Sequence, residues 1–432
     1  MAYTETRTVS YGSRLSNSFK GIGTGFILLI AATVLLWWNE GRAVHTAQDI
    51  KEVGANATHV ESIDKIAPEG QLIHANGTAI TTDTITDATF GIRTNALSLD
   101  RDVEYYQWTE QSHTETKEKI GGSKEEITTY TYSKSWVSSP VNSSNFHDPQ
   151  YKNSNTVLAN INYKDESVYA KNVAFGAYTM PESFIHSVAS CAPAAEEDLT
   201  FDQTILAEMD KAIANTQGMN SYRPAYNNVA ANDSAAVVDF AWVHQSKNEL
   251  YFGKNAGAPE VGDVRVKFSS KSASAVISIV AVVQGKSLTS YRTKNKANRN
   301  YISAGTKSLE DMMQDAEDDN NIMTWALRIL GIVLVCAAFK MIFEILVTLL
   351  KVLPFLANIF NWGVSLICNI LGVVYSLIII AIAWLFYRPI LGVCLLAVAG
   401  GLIYWLAVGK KKKDANSAAS VSPAAAAAVN EQ

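Results

Sequence analysis

The sequence predicts an α+β extracytoplasmic domain, β-rich with helical insertions, on a four-helix transmembrane region. Three observations support this fold class: an apolar run near the N-terminus, a second apolar block in the last quarter, and a polar middle with period-two strand patterns. The strand patterns follow one another across helical insertions rather than alternating regularly with helices, which is typical of α+β domains.

The first predicted span covers residues 21–38 and follows a cationic segment, residues 1–20. As a helix its 18 residues would be about 27 Å long, enough to cross a hydrocarbon core. Trp37 and Trp38 end the run, where an aromatic belt is expected. Charged residues follow directly, without a small-residue cleavage site, so the run is predicted to be a retained anchor.

Three further spans are predicted at residues 323–339, 362–387 and 390–408. The basic head, with Arg7, Arg14 and Lys20, and the lysine cluster at 410–413 place both ends in the cytoplasm. Four crossings then leave the domain at 39–322 outside, in a periplasmic, extracellular or lumenal space. The Ala- and Ser-rich stretch at 409–432 is predicted to be a disordered cytoplasmic tail.

Residues 340–361 allow two interpretations. Glu344, Thr348, Lys351 and Asn358 share one helical face, which favours an amphipathic helix lying in the cytoplasmic interface. The alternative is a deeper span holding an intramembrane ion pair between Lys340 and Glu344, which could belong to an ion path.

The middle of the chain carries the elements of the domain. Strands are predicted at 70–80, 103–108, 127–136, 235–242, 263–268 and 275–283. The pair Gly121-Gly122 predicts a hairpin tip between two of them. Residues 181–215 have helical spacing with a break near Pro193.

Charge and cysteine content exclude several functions. The chain has a net charge of −5, but both ends are basic, which leaves about −12 on the domain. The phosphate backbone of nucleic acid would be repelled by such an acidic domain, so nucleic acid is not an expected ligand. The four cysteines form no C-x-x-C pair, and no metalloprotease, hydrolase or P-loop motif occurs. The sequence therefore predicts a protein that is not an enzyme and has no cofactor or metal.

Small and polar residues mark two helix-packing faces. Gly21 and Gly25 share one face of the first span. A second stripe, on the third span, consists of Ser365, Asn369, Gly372 and Ser376. Such faces let helices approach closely and share hydrogen bonds, so we expect them to pack against other helices.

The segment Asn39-Glu40-Gly41-Arg42 is predicted to form a turn at the outer membrane face. Gly41 would allow a backbone conformation or a close approach that a Cβ hinders. Arg42 could contact headgroups or a carboxylate of the domain. The turn would then couple the first span to the domain, whereas the alternative is an ordinary charged flank.

An aromatic group on the predicted strands could bind a sugar or a peptide. Its members are Tyr105, Tyr106, Trp108, Tyr130, Tyr132 and Trp136. Alternating aromatic residues on strands are more often core or cross-strand pairs, so packing is the favoured interpretation.

Several short motifs, in order along the chain, resemble the LUMA (transmembrane protein 43) family. They are the segments 39–43 (NEGRA), 103–108 (VEYYQW), 259–266 (PEVGDVRV) and 383–389 (AWLFYRP). The resemblance implies four spans and a large domain across the membrane from both termini. It also implies that eukaryotic members are scaffolds of the endoplasmic reticulum and inner nuclear membrane. The Ala-rich tail departs from the family and suggests a bacterial member, with the domain periplasmic or extracellular.

The leading functional hypothesis is a non-enzymatic membrane scaffold that self-associates through its helices and organises an envelope or endomembrane. Its expected partners are the lipid bilayer, further copies of the chain, and other membrane or envelope proteins, but no nucleic acid. Two alternatives stay open: an ion channel or transporter component using Lys340 and Glu344, and an extracytoplasmic binding module for a protein or glycan near Trp108 and Trp136.

Overall fold

A computed structural model describes residues 2–153, 163–196, 199–216, 225–226, 238–239, 241–350 and 354–390. The chain forms two compact units. The sheet unit comprises residues 2–9, 49–118 and 124–317, and the helical unit comprises residues 10–48, 119–123 and the described residues from 318 onward.

The described residues form five α-helices and one short 3-10 helix. The α-helices are α1 (Tyr11–Asn56), α2 (Glu182–Cys191), α3 (Gln203–Thr216), α4 (Leu309–Leu350) and α5 (Pro354–Tyr387), and the 3-10 helix is Ser143–Asn145. The strands are β1 (Ala2–Val9), β2 (Thr58–Val60), β3 (Leu72–Thr81), β4 (Thr84–Asp87), β5 (Ile92–Asn95), β6 (Ser98–Glu118), β7 (Lys124–Val137), β8 (Glu166–Tyr169), β9 (Val173–Phe175), β10 (Tyr178–Thr179), β11 (Ala225–Tyr226), β12 (Val238–Asp239), β13 (Val243–Ser246), β14 (Glu249–Phe252), β15 (Val264–Lys271), β16 (Ser274–Gln284), β17 (Ser287–Thr289), β18 (Tyr291–Arg292), β19 (Asn298–Arg299) and β20 (Tyr301–Ala304).

Two seven-stranded sheets build the sheet unit. The first has the order β1-β7-β6-β15-β14-β13, with β8 also paired to β6. The second has the order β2-β3-β9-β10-β17-β16-β20, with β3 also paired to β16. Strand β15 alternates buried and less buried residues, as a strand with one face on the core does. Residues of both sheets enter one hydrophobic core, which includes Phe90, Phe175 and Phe252. This mixed α/β architecture confirms the β-rich character of the predicted domain.

The predicted hairpin is confirmed and is longer than expected. Strands β6 and β7 pair antiparallel from Tyr105↔Val137 to Glu118↔Lys124. Gly121 and Gly122 at its tip have φ angles of 91° and 81°, a left-handed region that favours glycine. The sequence pattern missed the distal half of the hairpin because its residues are polar on both faces, so no alternation of apolar and polar positions marks it.

The helical insertion is also confirmed, with its break near Pro193. Helix α2 ends at Cys191 and α3 begins at Gln203, after Asp202 accepts a hydrogen bond from the Thr204 amide at 2.9 Å. Buried Asp210 of α3 accepts hydrogen bonds from the amides of Trp242 and Val243 at 2.7 and 3.1 Å, which attaches the helix to the first sheet.

The N-terminal segment differs from its predicted form. Residues 2–9 are strand β1, which pairs antiparallel with β7 from Ala2↔Thr131 to Val9↔Lys124. Of the predicted cytoplasmic segment 1–20, residues 2–9 are therefore part of the sheet unit, and residues 11–20 begin helix α1. Helix α1 begins after Ser10, whose side chain accepts the Ser13 amide at 3.2 Å as an N-cap does.

Helix α1 has 46 residues and is about 69 Å long, much longer than the predicted span. It runs through residues 39–42 without interruption, so the predicted turn is wrong. Its last turns belong to the sheet unit, where Asp49 forms an ion pair with Arg299 at 2.9 Å and Glu52 accepts the Tyr291 hydroxyl at 3.0 Å. The polar residues that suggested a turn are instead satisfied by other helices.

Helix α4 also exceeds its predicted bounds. It begins at a capping box in which the Ser308 hydroxyl and the Asp311 carboxylate bond reciprocally to each other's backbone amides. It then continues through Phe339 to Leu350, and α5 begins at Pro354, a favourable first helical residue. The separate interfacial helix predicted at 340–361 is therefore replaced by the ends of two long helices.

Three helices of the described part are long and apolar enough to span a membrane, within 11–56, 309–349 and 362–387. The protein is therefore an integral membrane protein with several candidate spans. The predicted fourth span at 390–408 lies outside the described residues except for Ile390. The predicted tail at 409–432 also lies outside them.

Candidate functional site

Helices α1 and α4 pack antiparallel along the helical unit. Ser18 and Thr348 share a hydrogen bond of 2.8 Å near one end of the pair, and both side chains are buried. Leu36 of α1 packs on Gly331 of α4 further along. Gly25 lies between these contacts, against the Ala338 carbonyl. The two helices thus stay together over most of the residues that could lie in a bilayer.

A buried ion pair joins the two helices at the other end. The Glu40 carboxylate accepts two hydrogen bonds from the Arg328 guanidinium, from Nε at 2.6 Å and from Nη2 at 2.7 Å. Trp384 of α5 donates its indole Nε1–H to the same carboxylate at 2.7 Å. Glu40 is 0% exposed and Arg328 is 9% exposed. Three helices therefore meet at one carboxylate.

A second set of hydrogen bonds flanks Glu40 on α1 and lies one to two turns before Arg328 on α4. Arg42 donates from Nη1 to Asn320 Oδ1 at 3.0 Å and from Nη2 to Thr324 Oγ1 at 2.9 Å. Buried Asn39 donates to the Thr324 carbonyl at 3.0 Å, and Asn320 donates to the Ala43 carbonyl at 3.0 Å. We call the seven residues of these two sets the polar cluster: Asn39, Glu40, Arg42, Asn320, Thr324, Arg328 and Trp384.

Aromatic residues surround the polar cluster. The Arg328 guanidinium lies 5.0 Å from the Trp325 ring centre and 5.5 Å from that of Trp384, within cation–π range. A Cβ on Gly41 would lie 2.7 Å from the Tyr387 ring, so Gly41 permits the close approach of α5. The predicted importance of Gly41 thus concerns helix packing rather than a turn.

The predicted packing residues lie mostly at contacts within the chain. A Cβ on Gly372 would lie 2.6 Å from Cys336 Sγ, and Ser376 is fully buried and donates to the Gly372 carbonyl at 2.7 Å. Asn369 contributes a carbonyl to Cys336 Sγ at 3.6 Å, and Ser365 is partly exposed. On α1, a Cβ on Gly21 would lie 3.6 Å from the Met341 carbonyl oxygen.

The ion pair between Lys340 and Glu344, which was the alternative interpretation of residues 340–361, is not formed in the structure. Both side chains are exposed, and the ion pairs of the described residues within 4.0 Å do not include them. Sequence reasoning placed Glu40 in the predicted turn and did not pair it with Arg328. Their spacing of 288 positions carries no pairing signal, because the pairing depends on how α1 and α4 are aligned.

The carboxylate of the polar cluster has no free oxygen with which to act on a substrate. Both Glu40 oxygens accept donors, and the neighbouring charge neutralises the carboxylate, so no free acid or base is presented to a substrate. Within the described ranges, no group of three or more His, Cys, Asp or Glu side chains could hold a metal. The arrangement stabilises a specific alignment of helices, and it supplies no catalytic constellation.

Of the six aromatic residues predicted as a group on the hairpin, Tyr105 and Tyr130 are buried and the other four are partly exposed. Lys134 lies 5.1 Å above the Trp108 ring, and Arg265 lies 4.3 Å above the Trp136 ring. Tyr132 stacks on Tyr151 at 4.1 Å. Because these faces already carry cationic or aromatic neighbours, the surface gives weak support to a sugar-binding site.

Comparisons with known proteins lead to a single family. The family model described as Transmembrane protein 43 matches residues 105–389. Transmembrane protein 43 of Mus musculus is 28% identical over 388 residues, covering 87% of each chain, and that of Homo sapiens is 27% identical with the same coverage. The homolog of Drosophila melanogaster is 24% identical and covers 88% of this chain and 92% of its own. No solved structure matches.

Proposed function

Because this chain belongs to the transmembrane protein 43 family, we propose that it is a non-enzymatic membrane scaffold. In this proposal it self-associates through its membrane helices and organises an envelope or endomembrane. The observation that carries the proposal is the Glu40–Arg328 pair of the polar cluster, in which opposite charges neutralise each other where three helices meet. Such a pair favours a fixed helical framework over an ion path, because neither of its charges is left to guide an ion.

The helical framework leaves apolar faces uncovered. On α1, Ile27, Ile30 and Val34 are more than half exposed, and on α5 so are Ile370 and Leu377. These residues recur at helical spacing, so each helix presents an apolar stripe to lipid or to another helix. The small-residue faces, by contrast, are already occupied within the chain. We therefore assign self-association to the apolar stripes.

Native mass spectrometry of the full chain in mild detergent, combined with crosslinking in the membrane, tests the proposal. We expect dimers or larger assemblies and co-purifying membrane proteins. A strictly monomeric particle with no co-purifying protein would contradict it.

Two double alanine substitutions identify the associating face. Ile27→Ala/Ile30→Ala removes apolar side chains from the stripe on α1, and Ile370→Ala/Leu377→Ala removes them from the stripe on α5. The two variants remove similar apolar area, so each is the matched control of the other. We expect one of them to lower the oligomer mass. An oligomer unaffected by both would rule out association through these helices.

Membership of the family does not by itself assign the scaffold to one cellular membrane. An integral membrane protein with a large polar sheet unit could serve a bacterial envelope or a eukaryotic endomembrane equally well. Fractionation of the source cells, with antibody detection of the native chain, decides between the two.

A further inference from the structure

Two histidines of the sheet unit form a direct imidazole pair. His59 lies on β2 and His74 on β3, and their Nδ1 atoms are 2.9 Å apart. The ring centres are 5.0 Å apart with an interplanar angle of 34°. His74 is 2% exposed, whereas His59 is exposed. A buried ring therefore shares a hydrogen bond with a ring that reaches solvent.

The hydrogen bonds fix the tautomers of both rings. His74 Nε2 lies 3.1 Å from the Lys307 carbonyl oxygen, which can only accept, so Nε2 must carry the proton. In the neutral ring, Nδ1 of His74 is then a lone-pair acceptor, and His59 must donate from its own Nδ1. The lone pair that no contact of the pair uses lies on Nε2 of His59, so a proton added there breaks no hydrogen bond.

A second proton has no such site. It can bind only at Nδ1 of His74, where it would face the Nδ1–H of His59 across 2.9 Å. Two donors cannot share that bond, and two cations would stand side by side with one of them buried. Burial and the charge of His59 lower the pKa of His74, while the Lys307 carbonyl and Glu310 oppose this shift.

The histidine pair lies next to the chain segments that lead into α1 and α4. His59 follows the last turn of α1 by three residues, and Lys307 precedes α4 by two. Gly54 of α1 packs against Met313 of α4 within the same unit. The two chain segments that lead from the sheet unit into the membrane helices are thus both tied to His74 or its neighbour.

We propose that His59 and His74 form an acid-sensitive latch, closed with no proton or one proton added and opened by two. Opening separates β2 from β3 at the point where α1 enters the sheet unit. The other titratable groups around the latch are Glu310 and, beyond the Lys307 carbonyl, the Lys307 ammonium paired with Asp315, together with Cys191 of α2.

The sign of the pH dependence follows from proton binding. The open state binds a proton on His74 at the ordinary pKa of about 6.5, and the closed state binds it only at lower pH. Opening therefore becomes more favourable as pH falls below 6.5, by up to about tenfold in the opening constant per pH unit. Above pH 6.5 the latch contributes its full stability.

The test uses the full chain in detergent or lipid nanodiscs between pH 7.5 and 5. Deuterium exchange at the imidazole C2–H reports the pKa of His74, and backbone amide exchange, corrected for intrinsic rates, reports opening of residues 58–60 and 72–75. In the parent we expect a lowered His74 pKa and faster amide exchange in acid.

The variant His59→Gln separates the latch from a merely structural contact. Its amide can donate to His74 at neutral pH and rotate to accept from protonated His74 in acid. We expect the His74 pKa to rise towards its ordinary value and the acid-induced exchange to disappear. The matched control is His113→Gln, an exposed histidine on β6 that should behave like the parent. A parent without acid-induced opening, or a His59→Gln profile equal to the parent's, would overturn the proposal.

Discussion

The two ends of the membrane part of α1 are held in different ways. Near its start, Arg14 donates to the Gly122 carbonyl at the hairpin tip at 2.9 Å, and Ser18 bonds to Thr348. At residues 39–42, a carboxylate is matched by a guanidinium and an indole from two other helices. The first end uses neutral acceptors and close packing, whereas the second uses opposite charges.

The difference shows which contacts specify the arrangement of the helices. A glycine contact tolerates a small change in alignment, because dispersion forces are short-ranged but not directional. A bidentate carboxylate–guanidinium pair has one favourable geometry, and losing a partner leaves a buried charge. We infer that residues 39–42 set the alignment of α1 with α4, and that the glycine contacts determine how closely the helices then approach.

The largest expected effect concerns sidedness. Strand β1 pairs with β7, and α1 is the candidate span that lies between the two strands in the chain. Backbone hydrogen bonds cannot form across a hydrocarbon layer, so this pairing persists only if α1 does not cross the bilayer. We expect α1 to cross, so in a background without the four native cysteines Thr6→Cys and Ser133→Cys should react with an impermeant maleimide from opposite sides of sealed vesicles. Labelling from the same side would mean that β1 stays paired with β7 and that α1 is not a span.

The second largest effect is expected from removing the charge of Glu40, which pairs with Arg328. Glu40→Gln keeps the shape of the side chain but leaves Arg328 without a counter-charge, which should cost about 3–5 kcal/mol of stability. We expect a clearly lower thermal midpoint in detergent, with membrane insertion unchanged.

The double variant Glu40→Gln/Arg328→Gln is the control for this prediction. It removes both charges, so a large part of the lost stability should return, and a double-mutant cycle gives the coupling energy. A single variant as stable as the parent would show that water or lipid headgroups screen Arg328, and the alignment role of the pair would then fail.

The sequence could predict individual elements better than their partners. Gly121-Gly122 was sufficient for the hairpin tip, and the helical spacing of residues 181–215 was sufficient for α2 and α3, because both signals are local. The pairing of Glu40 with Arg328 joins helices far apart in the chain and could not be read from either segment. Strand β1 was missed although Thr4, Thr6 and Thr8 alternate, because its charge and position suggested a solvated head.

A smaller effect is expected at Arg42. Arg42→Ala removes hydrogen bonds to Asn320 and Thr324 but leaves the Glu40–Arg328 pair in place. Because Arg42 is only partly buried and its removal leaves no buried charge without a partner, the thermal midpoint should fall less than in Glu40→Gln. A loss equal to that of Glu40→Gln would place Arg42 at the centre of the polar cluster, and no loss would make it an ordinary charged flank.

The smallest effect separates close packing from helix propensity. A Cβ on Gly25 would lie 2.8 Å from Ile342 Cγ1 and 3.0 Å from the Ala338 carbonyl oxygen, so Gly25→Ala must push α4 away from α1. Such overpacking costs about 1–3 kcal/mol. Gly23→Ala is the matched control, because a Cβ there meets nothing within 4 Å and alanine favours a helix. We expect Gly25→Ala to lower the thermal midpoint and Gly23→Ala to keep or raise it. If both variants behave alike, then the approach of α1 to α4 at Gly25 contributes nothing to stability.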